Sequence, residues 1–126
     1  MLPLAVLMNR NLRTIPREAS VRDAARLMRE WRIGSLLVEH EGDYVGIVSE
    51  TDVVRRGVAE GLDVDRVAVH LVMSSPIITL DISRSAVDAN AVMSERAIRH
   101  LAITEDGRIV GVLSVRDLLV YFKNQF

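Results

Sequence analysis

Residues 8 to 56 can be laid over residues 73 to 121 without a gap, at a shift of about 65 positions, so the chain carries two copies of one supersecondary unit. Met8 falls on Met73, Thr14 on Thr79, Ser20 on Ser85, Asp23 on Asp88, Ala24 on Ala89, Met28 on Met93, Ile33 on Ile98 and Leu36 on Leu101. The match is strongest at the end of each copy. Gly42, Val45, Gly46, Ser49 and Asp52 fall on Gly107, Val110, Gly111, Ser114 and Asp117, so both copies close on Gly-apolar-apolar-Ser-x-x-Asp. The copies span residues 1–61 and 73–126, with residues 62–72 as the connection.

At 126 residues with 49% apolar content, the chain has the material for about one domain with an ordinary core. Sixteen basic and 17 acidic side chains give a net charge of −1, which supplies no chain-wide attraction to nucleic acid or anionic lipid. With no cysteine there is no disulfide framework, no thiolate metal site and no cysteine nucleophile, as suits a reducing compartment. The apolar stretch 2–8 lacks a basic leader and is too short for a membrane span, so a cytoplasmic location without membrane partners is expected. The Met1 start and the polar end at 123–126 lead to the expectation of a complete chain with no attached effector domain.

In the first copy Ser20 is placed to cap a helix whose apolar residues Val21, Ala24, Ala25, Leu27, Met28 and Trp31 keep to one face, leaving Arg22, Arg26 and Arg29 to solvent. Apolar runs at 35–39 and 44–48 flank Glu41, Gly42 and Asp43, where glycine supplies the positive φ of a tight hairpin. Thr51 is then placed to cap a helix through Asp52, Val53, Val54 and Val58, stopped near Gly57 or Gly61. The second copy repeats the plan: Ser85 caps a helix containing Ala86, Ala89, Val92 and Met93, a hairpin turns at Asp106 and Gly107, and residues 115–122 form the closing helix. In the connection, Val64, Val67, Leu71 and Val72 suggest a short packed helix rather than a free linker.

The segment Val72-Met73-Ser74-Ser75-Pro76-Ile77-Ile78-Thr79, the run Ile98-Arg99-His100-Leu101, and the endings Gly46-Ile47-Val48-Ser49-Glu50-Thr51-Asp52 and Gly111-Val112-Leu113-Ser114-Val115-Arg116-Asp117 resemble those of a tandem pair of CBS domains, the modules named after cystathionine beta-synthase. The resemblance covers nearly the whole chain. It implies an α/β (α+β) fold of two pseudo-symmetric repeats, each strand, helix, strand, strand, helix, packed as one intramolecular pair with two clefts that sense adenine-containing molecules. It also implies assembly through the flanking helices, here a homodimer on Val53, Val54, Val58, Leu118, Leu119 and Phe122.

Physical chemistry directs attention to the same endings. Each Ser-x-x-Asp lies where a strand gives way to a helix, so the serine hydroxyl and free N–H groups can meet a phosphate at the positive helix end. The aspartate, within the first turn, can accept from both hydroxyls of a ribose. The alternative is that Ser49 and Ser114 only cap helices, with Asp52 and Asp117 adding charge–dipole stabilisation. Both readings stand at the level of the isolated motif; its presence twice within this family resemblance favours the ligand.

By resemblance, a first cleft combines Asn11, Leu12, Arg13, Ile33 and Gly34 with Val112, Ser114, Arg116 and Asp117, and receives the basic pair Arg99 and His100. The second combines Pro76, Ile77, Ile78 and Ile98 with Ile47, Ser49, Thr51 and Asp52. The first copy has Gly34 and Ser35 where the second has Arg99 and His100, so the first cleft is the better phosphate site. The regulatory ligand implied is AMP, ADP or ATP, and the implied role is energy sensing on behalf of an unidentified regulated protein.

Enzymatic chemistry has little support. His40, His70 and His100 lack metal-ligand or general-base spacing, and Glu60, Asp63 and Asp65 read as a solvated acidic connection rather than a Mg²⁺ site. No Walker loop, dinucleotide fingerprint or nucleophile elbow is present, so neither a catalytic cofactor nor a metal is expected. Met28 and Met93 read as core filling, and Trp31 as a core or interface residue. Two other classes stay open: a constitutive assembly module with vestigial clefts, and single-stranded nucleic acid binding through Arg10, Arg13, Arg17, Arg22, Arg26 and Arg29. The 4% aromatic content argues against the second.

Overall fold

Each copy forms the expected unit, and the same local rules act in both. A computed structural model describes residues 2–123; Met1 and residues 124–126, and with them most of the polar end, lie outside the described residues. A short helix α1 (Leu4–Leu7) opens the first copy, which continues with β1 (Thr14–Pro16), α2 (Val21–Trp31), β2 (Ser35–His40), β3 (Asp43–Ser49) and the one-turn α3 (Glu50–Asp52). The second copy contains β4 (Thr79–Asp81), α4 (Ala86–Arg96), β5 (His100–Glu105), β6 (Arg108–Ser114) and α5 (Val115–Lys123).

Helix α2 starts because Ser20, in extended conformation, accepts the Asp23 N–H at 3.0 Å. Helix α4 starts on a full capping box, Ser85 accepting from Asp88 N–H at 3.1 Å while the Asp88 carboxylate accepts from Ser85 N–H, also at 3.1 Å. Both helices end on a left-handed residue, Arg32 and Ala97, each at φ 53°. The chain then enters β2 or β5 parallel to the strand that preceded the helix, with Thr14 opposite Leu37 and Thr79 opposite Ala102. The hairpins turn on Glu41-Gly42 and Asp106-Gly107, all four residues at positive φ, as a two-residue primed turn requires. A register shift follows Val38 in one hairpin and Ile103 in the other, so even the irregularity is repeated. Each copy thus has a three-stranded sheet, ordered β1-β2-β3 or β4-β5-β6.

The compact units do not follow the repeat boundaries. Residues 2–12 belong with 78–123, and residues 13–77 form the other unit. The leading segment of each repeat therefore packs against the hairpin of the other. In the unit containing 78–123, Asn9 bridges the free edge of β6 at Val112, its N–H donating to the Val112 carbonyl at 2.9 Å with the reverse bond at 3.0 Å. Leu4 and Met8 then join Ala86, Ala89, Met93, Leu101, Ile103, Leu113, Leu118 and Tyr121 in the core. In the unit of residues 13–77, Ser74 bridges β3 at Ile47 by bonds of 2.8 and 3.0 Å. Its core holds Ile15, Val21, Ala24, Met28, Leu36, Val38, Val48, Val69 and Val72. Met28 and Met93 are core residues, as their helix positions indicate.

Four local expectations need correction. Ser49, not Thr51, caps the helix after β3, because Ser49 is still extended and its hydroxyl takes the Asp52 N–H, whereas Thr51 already lies in the turn and is exposed. Beyond Asp52 the helix widens to a π-helix at Val53–Val58, with Ala59 N–H bonding to the Val54 carbonyl and Leu62 N–H to that of Gly57. In the connection, Val69 rather than Leu71 is the buried residue of a short 3₁₀ turn (Val69–Leu71), and Leu71 is exposed. On α5, Leu118 is buried and Phe122 half-buried in the core, so the exposed apolar residues there are Leu119 and Val120.

The methionine at each bridge needs a glycine opposite. A Cβ on Gly111 would lie 2.8 Å from Met8 Cγ, and one on Gly46 would lie 3.0 Å from Met73 Cγ and from the Ser74 carbonyl oxygen. Overpacking of this kind costs about 1–3 kcal/mol. Gly111→Ala should therefore lower stability by about that amount, read as a lower urea midpoint with an unchanged m value. The α4 cap makes a second prediction. Its Arg84 partner, at 3.0 Å, and the Ser85 bonds hold the Asp88 carboxyl down at about 2. A carboxyl depressed on folding stabilises above its ordinary range, near 4, and loses that contribution as pH falls through about 2. Asp88→Asn should lower the thermal midpoint at pH 7, and its deficit relative to the parent should shrink between pH 4 and pH 2.

Candidate functional site

The Ser-x-x-Asp endings are closed capping boxes in both copies. Asp117 Oδ2 accepts from Ser114 N–H at 2.8 Å and from its hydroxyl at 3.0 Å, and Asp117 N–H returns a 3.2 Å bond to Ser114 Oγ. Asp52 makes the same set with Ser49 at 2.9, 3.1 and 3.2 Å. Capping is thus a real role of these residues, and each serine hydroxyl is committed to it. The remaining chemistry lies in what surrounds the second carboxylate oxygen.

Around Asp117 the surroundings are open and basic. His100 is the register partner of Ser114 in the β5–β6 ladder, and Val115 N–H donates to the Arg99 carbonyl at 2.9 Å. The basic pair therefore lies beside the strand end from which α5 starts. Arg99 and Arg116 are exposed. Asp117 is half-buried, and its Oδ1 has no hydrogen-bond partner among the described residues. The Asn9–Val112 bridge places the segment 9–11 at the β6 edge, where Asn11 donates its N–H to Asn9 Oδ1 at 2.9 Å, with Leu12 following half-buried. Ile78, whose carbonyl accepts from Ala102 N–H at 3.2 Å, and Ile98 belong to the same unit and are half-buried against its core.

Around Asp52 the surroundings are filled. Gly34 and Ser35 stand where the other unit has Arg99 and His100, Ser35 is buried, and Glu50 N–H donates to the Gly34 carbonyl at 3.0 Å. Asp52 is 6% exposed, and the Ser74 hydroxyl lies 3.1 Å from Oδ1 and 3.3 Å from Oδ2. Arg56 Nε is 3.8 Å from Oδ1. Ile33 and Ile47 are half-buried in this unit, Pro76 and Thr51 are exposed, and Ile77 is half-buried. Arg13 lies with its guanidinium 4.4 Å from the centre of the Trp31 ring, a cation–π contact that gives Trp31 a local partner.

The residues expected to share one cleft thus divide between the two units. Asn11, Leu12, Arg99, His100, Val112, Ser114, Arg116 and Asp117 fall in one, and Arg13, Ile33 and Gly34 in the other. Of the second set, Ile78 and Ile98 fall in the first unit, and Pro76, Ile77, Ile47, Ser49, Thr51 and Asp52 in the second. Sequence reasoning missed Ser74 and Arg56 as partners of Asp52. Repeat alignment pairs Ser74 with Asn9, but which hairpin either one docks on is a long-range matter.

Several other sequence candidates have structural roles. Asp65 pairs with Arg22, and Asp63 accepts from Asp65 N–H at 3.1 Å, tying the connection to the start of α2. Arg22 and Val21 also donate their N–H groups to the Val64 and Val67 carbonyls. Arg17 and Arg26 pair with Glu18 and Asp23, so much of the arginine set considered for nucleic acid is ion-paired or stacked within the protein. His40 lies 3.7 Å from Glu18 and 3.8 Å from Glu41, partly exposed. Among the described residues no group of three His, Asp or Glu side chains is placed to hold a metal, and no helix is long and apolar enough to cross a membrane.

Comparison with known proteins agrees with this architecture. The CBS domain family model matches residues 5–59 and again 67–124. An uncharacterised protein of Methanocaldococcus jannaschii is 34% identical over 91% of this chain, which spans only 30% of that relative's length. A crystal structure of an uncharacterised conserved protein from Pyrococcus horikoshii is 34% identical with a TM-score of 0.89, covering 96% of this chain and 92% of that one. The structure of a putative signal-transduction protein with CBS domains from Burkholderia ambifaria is 31% identical with a TM-score of 0.87, covering 93% and 87%. With both copies matched, the chain belongs to the CBS-domain family, as a tandem pair of these regulatory and binding modules.

Proposed function

We propose that this chain is a non-catalytic regulatory module that senses an adenine nucleotide, AMP, ADP or ATP, with Asp117 as its anchor. CBS domains commonly bind adenosyl ligands. The observation that carries the reading is the Asp117 carboxylate, whose Oδ2 is held by Ser114 while Oδ1 has no partner among the described residues, at the start of a nine-residue helix. One oxygen fixed and one unused is the state in which a carboxylate can accept from a ribose hydroxyl without giving up its cap. Arg116 and Arg99 supply positive charge for phosphate beside the same helix start, with His100 next to them as a hydrogen-bonding group, where the dipole also favours an anion. Adenine then packs at the β6 edge against Leu12, Asn11 and Val112. A cysteine-free chain of this kind suits the cytoplasm, where nucleotide levels report energy status.

Hydrogen bonds to a charged group are worth roughly 1.5–3 kcal/mol, so Asp117→Ala should weaken nucleotide binding by about ten- to a hundredfold. Because the same substitution removes a helix cap, affinity is read by titration calorimetry, not from the unfolding midpoint. For the parent protein, a nucleotide at a hundredfold excess over its dissociation constant adds about 2.7 kcal/mol and raises the midpoint by several degrees. An Asp117→Ala protein that binds as tightly as the parent removes the anchor and the reading with it.

A second reading, a constitutive assembly module, is favoured by the exposed Val54 and Val58 on one helix and Leu119 and Val120 on another. The two readings meet in a homodimer formed through these faces. Sedimentation at micromolar concentration should give a dimer, and Leu119→Lys with Val58→Lys should shift it to monomer. A monomeric parent chain excludes both the dimer and the assembly reading.

A further inference from the structure

In the first copy, the position that corresponds to the proposed ribose anchor is already taken. Both oxygens of Asp52 are engaged from within its own unit: Oδ2 by the Ser49 N–H and hydroxyl, and Oδ1 by the Ser74 hydroxyl, with Arg56 Nε close by. Arg56 also donates Nη1 to the Met73 carbonyl at 3.1 Å, so the two residues that occupy Asp52 hold one and the same segment. The second copy has neither partner. Asn9 stands for Ser74, with its side-chain oxygen turned to Asn11 N–H, and the buried Tyr121 stands for Arg56. A ligand hydroxyl reaching Asp52 would have to displace a charge-assisted bond and uncover a carboxylate that is 6% exposed, with no Arg-His pair nearby to hold its phosphate.

The geometry points to a filled site at Asp52: the chain's own Ser74 hydroxyl and Arg56 guanidinium stand where a ligand would, so each chain takes one nucleotide and not two. This rests on the Asp117 reading and sets its stoichiometry. Asp52 becomes a positioning residue, tying the Met73-Ser74 segment to the β3 edge, in place of the ribose ligand that its motif suggested.

Titration calorimetry on the full chain with ATP and with AMP tests this directly. The expected result is one molecule per chain. Ser74→Ala and Arg56→Met should each lower the thermal midpoint by several degrees while leaving the nucleotide dissociation constant within about twofold of the parent. Two molecules bound per chain overturns the filled site but leaves the Asp117 anchor standing, whereas no binding of either probe removes the anchor and single occupancy together. A Ser74→Ala protein that loses affinity as Asp117→Ala does places the ligand at Asp52 and overturns the inference. So does an unchanged midpoint in both variants, because the tie would then hold nothing.

Discussion

Two methionines packed onto two glycines decide which parts of this chain fold together. Met8 lies where Gly111 leaves no Cβ, and Met73 lies where Gly46 leaves none, each beside an antiparallel bridge to the strand that carries the glycine. Both contacts join the leading segment of one repeat to the hairpin of the other. Because β3 and β6 are edge strands, these bridges also satisfy backbone groups that would otherwise stay unpaired. The exchange supplies Leu4 and Met8 to one core and packs Met73 against the other. Neither unit is one continuous repeat of the sequence.

The exchange also sets the chemistry at the two aspartates. A residue one position past each methionine arrives at the strand end where Ser-x-x-Asp begins, so whatever occupies that position can meet the carboxylate. Serine at 74 has a hydroxyl short enough to donate to Asp52, while asparagine at 9 closes a local turn with Asn11 and leaves Asp117 Oδ1 unused. One side-chain difference at a symmetric position thus separates a saturated carboxylate from an open one. The neighbouring difference, Gly34-Ser35 against Arg99-His100, runs in the same sense and puts an Arg-His pair at the strand end before Asp117 but not before Asp52.

Much of this was legible in the sequence because it is local. The helix starts at Ser20 and Ser85, the turns at Gly42 and Gly107, and the core faces containing Met28 and Met93 follow from periodicity and from residues with one dominant conformational use. The motif family was legible from its endings. Thr51 was misread because two residues only two positions apart have cap-forming hydroxyls, and only the backbone of Ser49, still extended, decides between them. Leu71 was misassigned, and Leu118 could not be divided between core and interface, because a short helix offers too few positions to define a face. Of the partners of Asp52, Arg56 lies four residues on and was a local signal overlooked, whereas Ser74 was out of reach because it meets Asp52 only after a segment from the other repeat has docked.

Internal duplication makes the comparison between the copies a control within one molecule. Both Ser-x-x-Asp boxes have nearly the same bond lengths, so the cap itself cannot be what distinguishes the two sites. What differs is the competition for the second oxygen. A carboxylate held by a half-buried hydroxyl with a guanidinium close by has little to gain from a ligand hydroxyl, since the new bond replaces one of similar strength and the displaced groups must find other partners. On the proposed reading, the same four-residue motif would serve the fold alone at Asp52 and the ligand at Asp117, and the difference in the partners of the two carboxylates is set by residues 9, 56 and 74, which lie outside the motif.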